Sequence, residues 1–390
     1  MNNFEYYGPT RIVFGEGSIR RLSDLVPADT PILLLYGGGS IKRNGVYDQV
    51  MSVLEGRDLV EFGGIEVNPD YETCMKAVAV ARERDVGFLL AVGGGSVLDA
   101  AKFIAAAVYW QDGEPWDLFR DRGARIFRAL PLGSVMTLPA TGSEMNKNAV
   151  ISRRATKEKL AFVSPHVFPQ FSILDPATTF SLPPRQIGNG VVDAFVHVTE
   201  QYVVARDTAA PLQDRQAEAV LLTLIKEGPV TLAEPTRYDS RANLVWAATC
   251  ALNGTLSCGV PGDWATHMIG HELTALYGLD HAQSLAVVLP GLWRHQRDVK
   301  RERLLHYAAR IWGLTEGPEE ARIDQAIDKT ESFFQSMGVP TRLADYGLPA
   351  DAPRETARNQ ARRGVALGER QTIRAAEIEA ILQMQQNGRD

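Results

Sequence analysis

From Ile12 to about Asp175 the chain alternates short aliphatic and β-branched runs with longer mixed segments. Ile12 to Phe14, Ile32 to Tyr36, Leu59 to Phe62, Phe88 to Val92 and Val135 to Leu138 read as strands, each a brief apolar run of strand-forming residues. Tyr71 to Arg84, with Met75, Val78, Val80 and Ala81 set among charges, and Val97 to Trp110 have the length and spacing of helices. This alternation predicts an α/β domain built on a mostly parallel sheet. After Leu182-Pro183-Pro184 the strand-like runs nearly vanish. Helical periodicity takes over at Val191–Val204, Leu212–Glu227, Arg241–Leu256, Asp263–Leu276, Arg301–Trp312, Arg322–Met337 and Ala375–Gln385. Two domains are expected, an α/β domain over residues 1–182 and an all-α domain over residues 183–390, with the paired prolines at the hinge.

Within the α/β part, an apolar strand followed by Gly-Gly-Gly-Ser occurs twice, at Gly37-Gly38-Gly39-Ser40 and Gly93-Gly94-Gly95-Ser96. A glycine turn that opens a helix exposes backbone N–H groups where the helix dipole favours an anion, and phosphate is the natural ligand. The pattern is not G-x-G-x-x-G, so it is not the usual dinucleotide fingerprint. A tight strand-to-helix turn explains one such loop as well as a ligand does; the repetition favours the ligand. Asp99 falls one turn into the helix after Ser96, near enough to meet a polar part of that ligand. A third turn, Thr137 to Glu144, offers the hydroxyls of Thr137, Thr141 and Ser143.

In the helical part, Asp193 and His197 stand four apart in Val191-Val192-Asp193-Ala194-Phe195-Val196-His197, which places both on one face of a segment apolar enough to be buried. A buried carboxylate costs several kcal/mol unless it is paired or binds a cation. His267 and His271 repeat the spacing among apolar neighbours. His281 follows just past Gly278, a plausible helix C-cap, where a chain return brings it back over the same helix. One carboxylate with imidazoles suits Zn²⁺ or Fe²⁺, whereas Mg²⁺ and Ca²⁺ prefer oxygen shells. The spacing does not choose between His267 and His271 as ligand. Peptidase chemistry is disfavoured, since Ala275 stands where H-E-x-x-H needs its second His.

Composition narrows the partners. With 47 acidic against 41 basic residues the formal charge is −6, which disfavours a nucleic-acid binder. The 3 cysteines, Cys74, Cys250 and Cys258, match neither a disulfide framework nor a metal site and read as small hydrophobes in a reducing compartment. The most apolar stretch, Val86 to Trp110, is interrupted by Gly93-Gly94-Gly95, Asp99 and Lys102, so no membrane span is expected. Without a basic stretch leading into an apolar one at the N-terminus, a cytoplasmic setting is expected.

These motifs together resemble the iron-containing, group III alcohol dehydrogenases, and especially their NADPH-dependent butanol dehydrogenase and broad-range aldehyde reductase branch. The similarity is carried by Gly93-Gly94-Gly95-Ser96-Val97-Leu98-Asp99, Thr141-Gly142-Ser143-Glu144, Asp193-Ala194-Phe195-Val196-His197 and the His267/His271/His281 set. It implies a Rossmann-like α/β domain and an all-α domain in the dehydroquinate synthase-like fold, with the active site in the cleft between them. It implies Fe²⁺ or Zn²⁺ held by Asp193, His197, His267 and His281, and places His271 near nicotinamide and substrate as a proton relay. The Gly94, Gly95 and Ser96 turn is implied at the pyrophosphate, Asp99 on the nicotinamide side, and Asn68, Thr137, Thr141, Lys159 and Leu182 near the cofactor. Gly37, Gly38 and Ser40 carry no carboxylate that would repel a 2′-phosphate, and Lys42 and Arg43 follow, which favours NADP(H). A small alcohol or aldehyde as substrate and a homodimer are implied as well.

Two rivals remain at this stage, a cyclising lyase like dehydroquinate synthase and a metal-dependent hydrolase without a dinucleotide. The stretch Arg354 to Arg363 is more polar and basic than a packed helix requires and is expected to be a solvated face.

Overall fold

The computed structural model describes residues 1–386. Among them, eight strands form: β1 (Arg11–Phe14), β2 (Ile32–Tyr36), β3 (Leu59–Phe62), β4 (Phe88–Gly94), β5 (Leu132–Leu138), β6 (Asn148–Arg153), β7 (Glu158–Val163) and β8 (Phe171–Leu174). Six of them make one sheet in the order β1-β8-β5-β4-β2-β3, with every neighbouring pair parallel. Parallel neighbours need crossovers, supplied in part by α1 (Leu22–Leu25), α2 (Ser40–Arg43), α3 (Val46–Val53), α4 (Tyr71–Glu83), α5 (Gly95–Ala107) and α6 (Asp117–Arg120). Leu33 to Leu35 and Phe88 to Val92 are fully buried because the sheet is covered on both faces. Tyr71, Val78, Leu98 and Phe103 cover one side; Ile19, Leu22, Ile41 and Val50 cover the other. The β6–β7 pair is a separate antiparallel hairpin, and neither it nor β8 is visible in the hydrophobic pattern.

The remaining helices are α7 (Pro184–Tyr202), α8 (Pro211–Ala233), α9 (Tyr238–Ala251), α10 (Ala265–Tyr277), α11 (His281–His295), α12 (Arg301–Trp312), α13 (Glu319–Ser336), α14 (Ala352–Ala361) and α15 (Ala375–Gln383). The chain divides into two compact units. One comprises Tyr7–Leu182 with Glu234–Thr249; the other comprises Met1–Tyr6, Pro183–Ala233 and the chain from Cys250 onward.

That division departs from 1–182 and 183–390 in two segments. Most of α9 belongs with the sheet: Val245 joins Met136 and Leu174 in a small apolar cluster, and Thr249 Oγ1 donates to Glu144 Oε1 at 2.5 Å. An apolar stripe on a helix says that it packs, not on which core.

The polar stretch near the C-terminus is a helix with one solvated face and one packed face. Residues Ala352–Ala361 form α14, with Pro353, Thr356, Ala357 and Gln360 buried. Asn359 Nδ2 and Arg363 Nη2 each reach the buried carboxylate of Glu272 on α10 at 2.5 Å. Arg354, Arg358 and Arg362 stay exposed, as a solvated face requires, while Asn359 and Arg363 serve a buried partner. Beyond α15, Gln385 Nε2 donates to Glu331 Oε1 at 2.8 Å and to the carbonyl of Thr341 at 3.2 Å, closing the C-terminal segment onto α13. Cys74 is buried, Cys250 and Cys258 are partly exposed, and no disulfide joins them.

Candidate functional site

Helix α7 is buried without interruption from Ile187 to Tyr202, so its polar residues have protein on every side. Asp193 and His197 lie on one face, 3% and 4% exposed, with His197 Nδ1 3.4 Å from Asp193 Oδ1. His267 comes from the first turn of α10. His281 is the first residue of α11, a helix the sequence pattern does not reveal. Asp280 caps that helix in a reciprocal capping box with Gln283 and is tied to the start of α7 by Arg185 at 2.8 Å and Asn189 at 3.0 Å. These contacts aim His281, whose Nε2 lies 3.6 Å from Asp193 Oδ1.

One ligand atom from each of Asp193, His197, His267 and His281 lies within 4.8 Å of all the others. Donors about 2.1 Å from a shared tetrahedral ion would sit about 3.4 Å apart, which the 3.4 and 3.6 Å separations match. Three imidazoles and a carboxylate are the donor set of a transition metal or zinc, and the residues fit such an ion. Burial, and then the neighbouring His267, push the pKa of His197 well below its usual value, leaving the ring neutral as a ligand must be. His271 stands one turn along α10, its ring centroid 6.3 Å from His267 and 5.4 Å from His281. The fold thereby separates two histidines that their spacing leaves equivalent: His267 joins the four converging atoms, and His271 lies beside them.

A residue that sequence reasoning missed sits in the same cluster. Glu200 is 3% exposed on α7, and its Oε2 meets Nδ1 of His267 while Oε1 accepts the backbone N–H of Thr266 at 2.7 Å. Its signal was available: an acidic residue seven after Asp193 and three after His197 continues their buried face. Lys300, 1% exposed, was missed as well. Its Nζ pairs with Asp263 Oδ2 at 2.8 Å and Glu369 Oε1 at 2.7 Å, holding the approach to α10.

In the other unit, the three turns all leave the C-terminal ends of parallel strands, where open α/β sheets bind ligands. Gly37 to Ser40 follow β2, with Gly39 at φ 85°, and both Gly38 and Ser40 are exposed. Gly94 ends β4, and Gly95 and Ser96 open α5. A Cβ on Gly95 would stand 2.5 Å from Thr141 Oγ1, so the second and third turns touch only because this residue is glycine. Thr137 is buried at the end of β5, and Leu182 closes the unit with its N–H on the Thr179 carbonyl at 3.1 Å.

Asp99 accepts Ser143 Oγ at 2.6 Å and the Val150 N–H at 3.1 Å, bracing the third turn against α5. Lys102, fully buried and not singled out by the sequence, donates to Ser143 Oγ at 2.8 Å, Asn146 Oδ1 at 3.0 Å and the Asn148 carbonyl at 2.8 Å. Its burial pulls its pKa down to about 8. Lys159 Nζ donates to Asn68 Oδ1 at 2.8 Å, which joins two residues 91 positions apart in sequence. Asn68 itself has φ 54°. Lys42 is not a free basic group: Glu61 on β3 holds it at 3.1 Å and also accepts from the hydroxyls of Tyr36 and Tyr47, at 3.1 and 2.5 Å. Arg43 is the exposed cation that remains beside the first turn.

Comparison with known proteins agrees with this picture. The profile described as "Iron-containing alcohol dehydrogenase" matches residues 9–176, and "Fe-containing alcohol dehydrogenase family, C-terminal" matches residues 188–385. The NADPH-dependent aldehyde reductase YqhD of Escherichia coli is 59% identical over 349 residues, 89% of this chain and 90% of that one. A probable NADH-dependent butanol dehydrogenase 1 of Bacillus subtilis is 41% identical over 387 residues, 98% of this chain and 99% of that one. The crystal structure of Escherichia coli YqhD superposes with a TM-score of 0.97 at 54% identity, covering 99% of both chains. The NADH-dependent butanol dehydrogenase A of Thermotoga maritima superposes at 0.94 with 37% identity, also over 99% of both. No helix among the described residues is long and apolar enough to cross a membrane. With family profiles matching both halves of the chain and full-length similarity to enzymes of the same kind, this protein belongs to the iron-containing alcohol dehydrogenase family.

Proposed function

We propose that the chain is a metal-dependent alcohol dehydrogenase that works as an aldehyde reductase, moving hydride between NADP(H) and a small alcohol/aldehyde pair. The observation that carries this reading is the convergence of Asp193, His197, His267 and His281 from three helices onto one point. Iron or zinc held there supplies Lewis-acid stabilisation of the oxygen that gains negative charge as the carbonyl is reduced. The protein's own groups do the rest. His271, beside the cluster and buried, is placed to pass a proton to that oxygen or take one from it. The backbone of Gly94, Gly95 and Ser96 receives the pyrophosphate at the start of α5, which Asp99 and Lys102 brace from behind through Ser143. Asn68 and Lys159 act as a hydrogen-bonded pair on the same cofactor.

NADPH is favoured over NADH because the first turn bears no carboxylate and the 59% identical relative is NADPH-dependent. Since Lys42 is held by Glu61, Arg43 is the better candidate for the 2′-phosphate. A homodimer in the cytoplasm is part of the same reading, tested by light scattering of the purified protein and by cell fractionation.

The decisive experiment measures aldehyde reduction and dinucleotide binding together. NADPH fluorescence should report tight binding and NADH weaker binding, and a chelator should abolish turnover while Fe²⁺ or Zn²⁺ restores it. Undiminished turnover after removal of all metal, or no binding of either dinucleotide, overturns the proposal.

A further inference from the structure

Beside the four converging side chains stands one buried carboxylate that is not among them. Glu200 shares a face of α7 with Asp193 and His197, at offsets of seven and three residues. Its Oε2 meets Nδ1 of His267; its Oε1 accepts the N–H groups of Thr266 at 2.7 Å and His267 at 3.3 Å. The carbonyl of Glu200 accepts the N–H of Asp263 at 2.8 Å, and Asp263 Oδ1 accepts the N–H of Ala265 at 3.0 Å. Every one of these contacts falls on the first turn of α10 or the two residues that lead into it. Burying this carboxylate is expensive, and as a mere cap for α10 it is more than the helix requires, since a Ser or Asn can fill that role.

A neutral imidazole carries one proton. An ionised carboxylate against Nδ1 can only accept, so it would keep the proton on Nδ1 and leave Nε2 its lone pair. We propose that Glu200 is a positioning residue for the metal centre: it holds His267 as the Nδ1–H tautomer, presents Nε2 to the ion, and fixes the helix turn that carries the ring. It acts through His267 and touches neither ion nor substrate. A carboxylate partner of this kind also raises the basicity of the coordinating nitrogen, and losing such partners typically weakens metal binding about 10–100-fold. The inference rests on the proposed metal site.

The test uses the full chain, stripped of metal and titrated with Co²⁺ or Zn²⁺ in the absence of substrate. Three forms are compared: wild type, Glu200→Gln and His267→Ala. Glu200→Gln keeps shape and can still bond, but it lacks the charge and can present an N–H to the ring in place of an acceptor. It is expected to weaken Co²⁺ binding about 10–100-fold, to alter the visible absorption of the Co²⁺ that does bind, and to leave the circular dichroism of the metal-free chain unchanged. Nitrogen NMR of the metal-free wild type is expected to show His267 protonated at Nδ1. Wild-type Co²⁺ affinity in Glu200→Gln overturns the proposal, as does a wild-type His267 protonated at Nε2; the NMR result stands even if the variant fails to fold. His267→Ala separates the two layers. If it binds the metal as tightly as wild type, the metal-site reading itself falls. If it loses the metal while Glu200→Gln does not, only the role of Glu200 falls.

Discussion

The candidate metal cluster and the glycine turns achieve placement by opposite means. At the cluster, side chains would carry the chemistry, and two of the four are held by a further polar group: Glu200 meets His267, and Asp280 with Arg185 and Asn189 fixes the start of α11 and therefore His281. At the turns, backbone is offered, and it is placed by the absence of side chains. Gly95 can meet Thr141 only without a Cβ, and the polar groups beneath, Asp99 and Lys102, reach the turn through Ser143 and Asn146. A side-chain site should fail by losing one atom, whereas a backbone site should fail by gaining one.

The largest effect expected is at the cluster. His267→Ala should lose metal, measured by elemental analysis, and turnover, while NADPH affinity by fluorescence stays within about twofold. Retained metal and activity would remove His267 from the ligand set. The converse variant is Gly95→Ala, which adds one methyl where Thr141 Oγ1 leaves no room. Overpacking of this sort costs about 1–3 kcal/mol, and here it should weaken NADPH binding by 10-fold or more with the metal content untouched. Unchanged affinity would show that the second and third turns need not touch.

Lys102→Met tests the buried support. The change should lower thermal stability by about 3 kcal/mol, because it leaves Asp99 and Glu144 buried without the cation. It should also reduce NADPH affinity without altering metal content.

A fourth prediction concerns acid. Glu331, gripped by Arg294, Arg342 and Gln385, is buried but held by these hydrogen bonds down at about 2, against an ordinary 4.5. A depressed carboxylate contributes stability above its unfolded pKa and loses it as pH falls through the folded one. The C-terminal closure should therefore weaken progressively from about pH 4.5 toward pH 2. Glu331→Gln should flatten that part of a stability-against-pH curve.

The smallest effect is at the first turn. Glu61→Gln loosens Lys42 and should raise NADPH affinity two- to threefold, with NADH affinity unchanged, because only the 2′-phosphate offers Lys42 an alternative partner. An equal gain for both dinucleotides would mean that Lys42 does not distinguish them.

How far the sequence could be read differs between these regions for physical reasons. Strands β2 and β4 were legible as unbroken apolar runs because both of their faces are covered, whereas β6 and β7 form an isolated hairpin with mixed burial that leaves no such run. Asp193, His197, His267 and His281 stood out because polar residues in apolar helices carry a cost that needs a reason. Glu200 stood in the same helix and was passed over, since a carboxylate without a histidine beside it in sequence reads as ordinary surface. Helix α11 was missed because Pro290 and Gly291 interrupt its pattern, so His281 was expected in a return loop and is instead a capped first residue.

Chemistry and local conformation were therefore set by the chain's own residue types: the two glycine turns, the buried carboxylate and imidazoles, the alternation of strand and helix. Those properties arise from side-chain and backbone physics within a few residues. Partnership was decided only by tertiary structure. It brought Asn68 to Lys159, gave Glu200 to His267, set His271 apart from His267, occupied Lys42 with Glu61 and turned Asn359 of α14 onto Glu272. Each of these pairs is distant in sequence or hinges on which way a side chain faces, and a hydrogen bond of about 3 Å cannot be inferred from spacing along the chain.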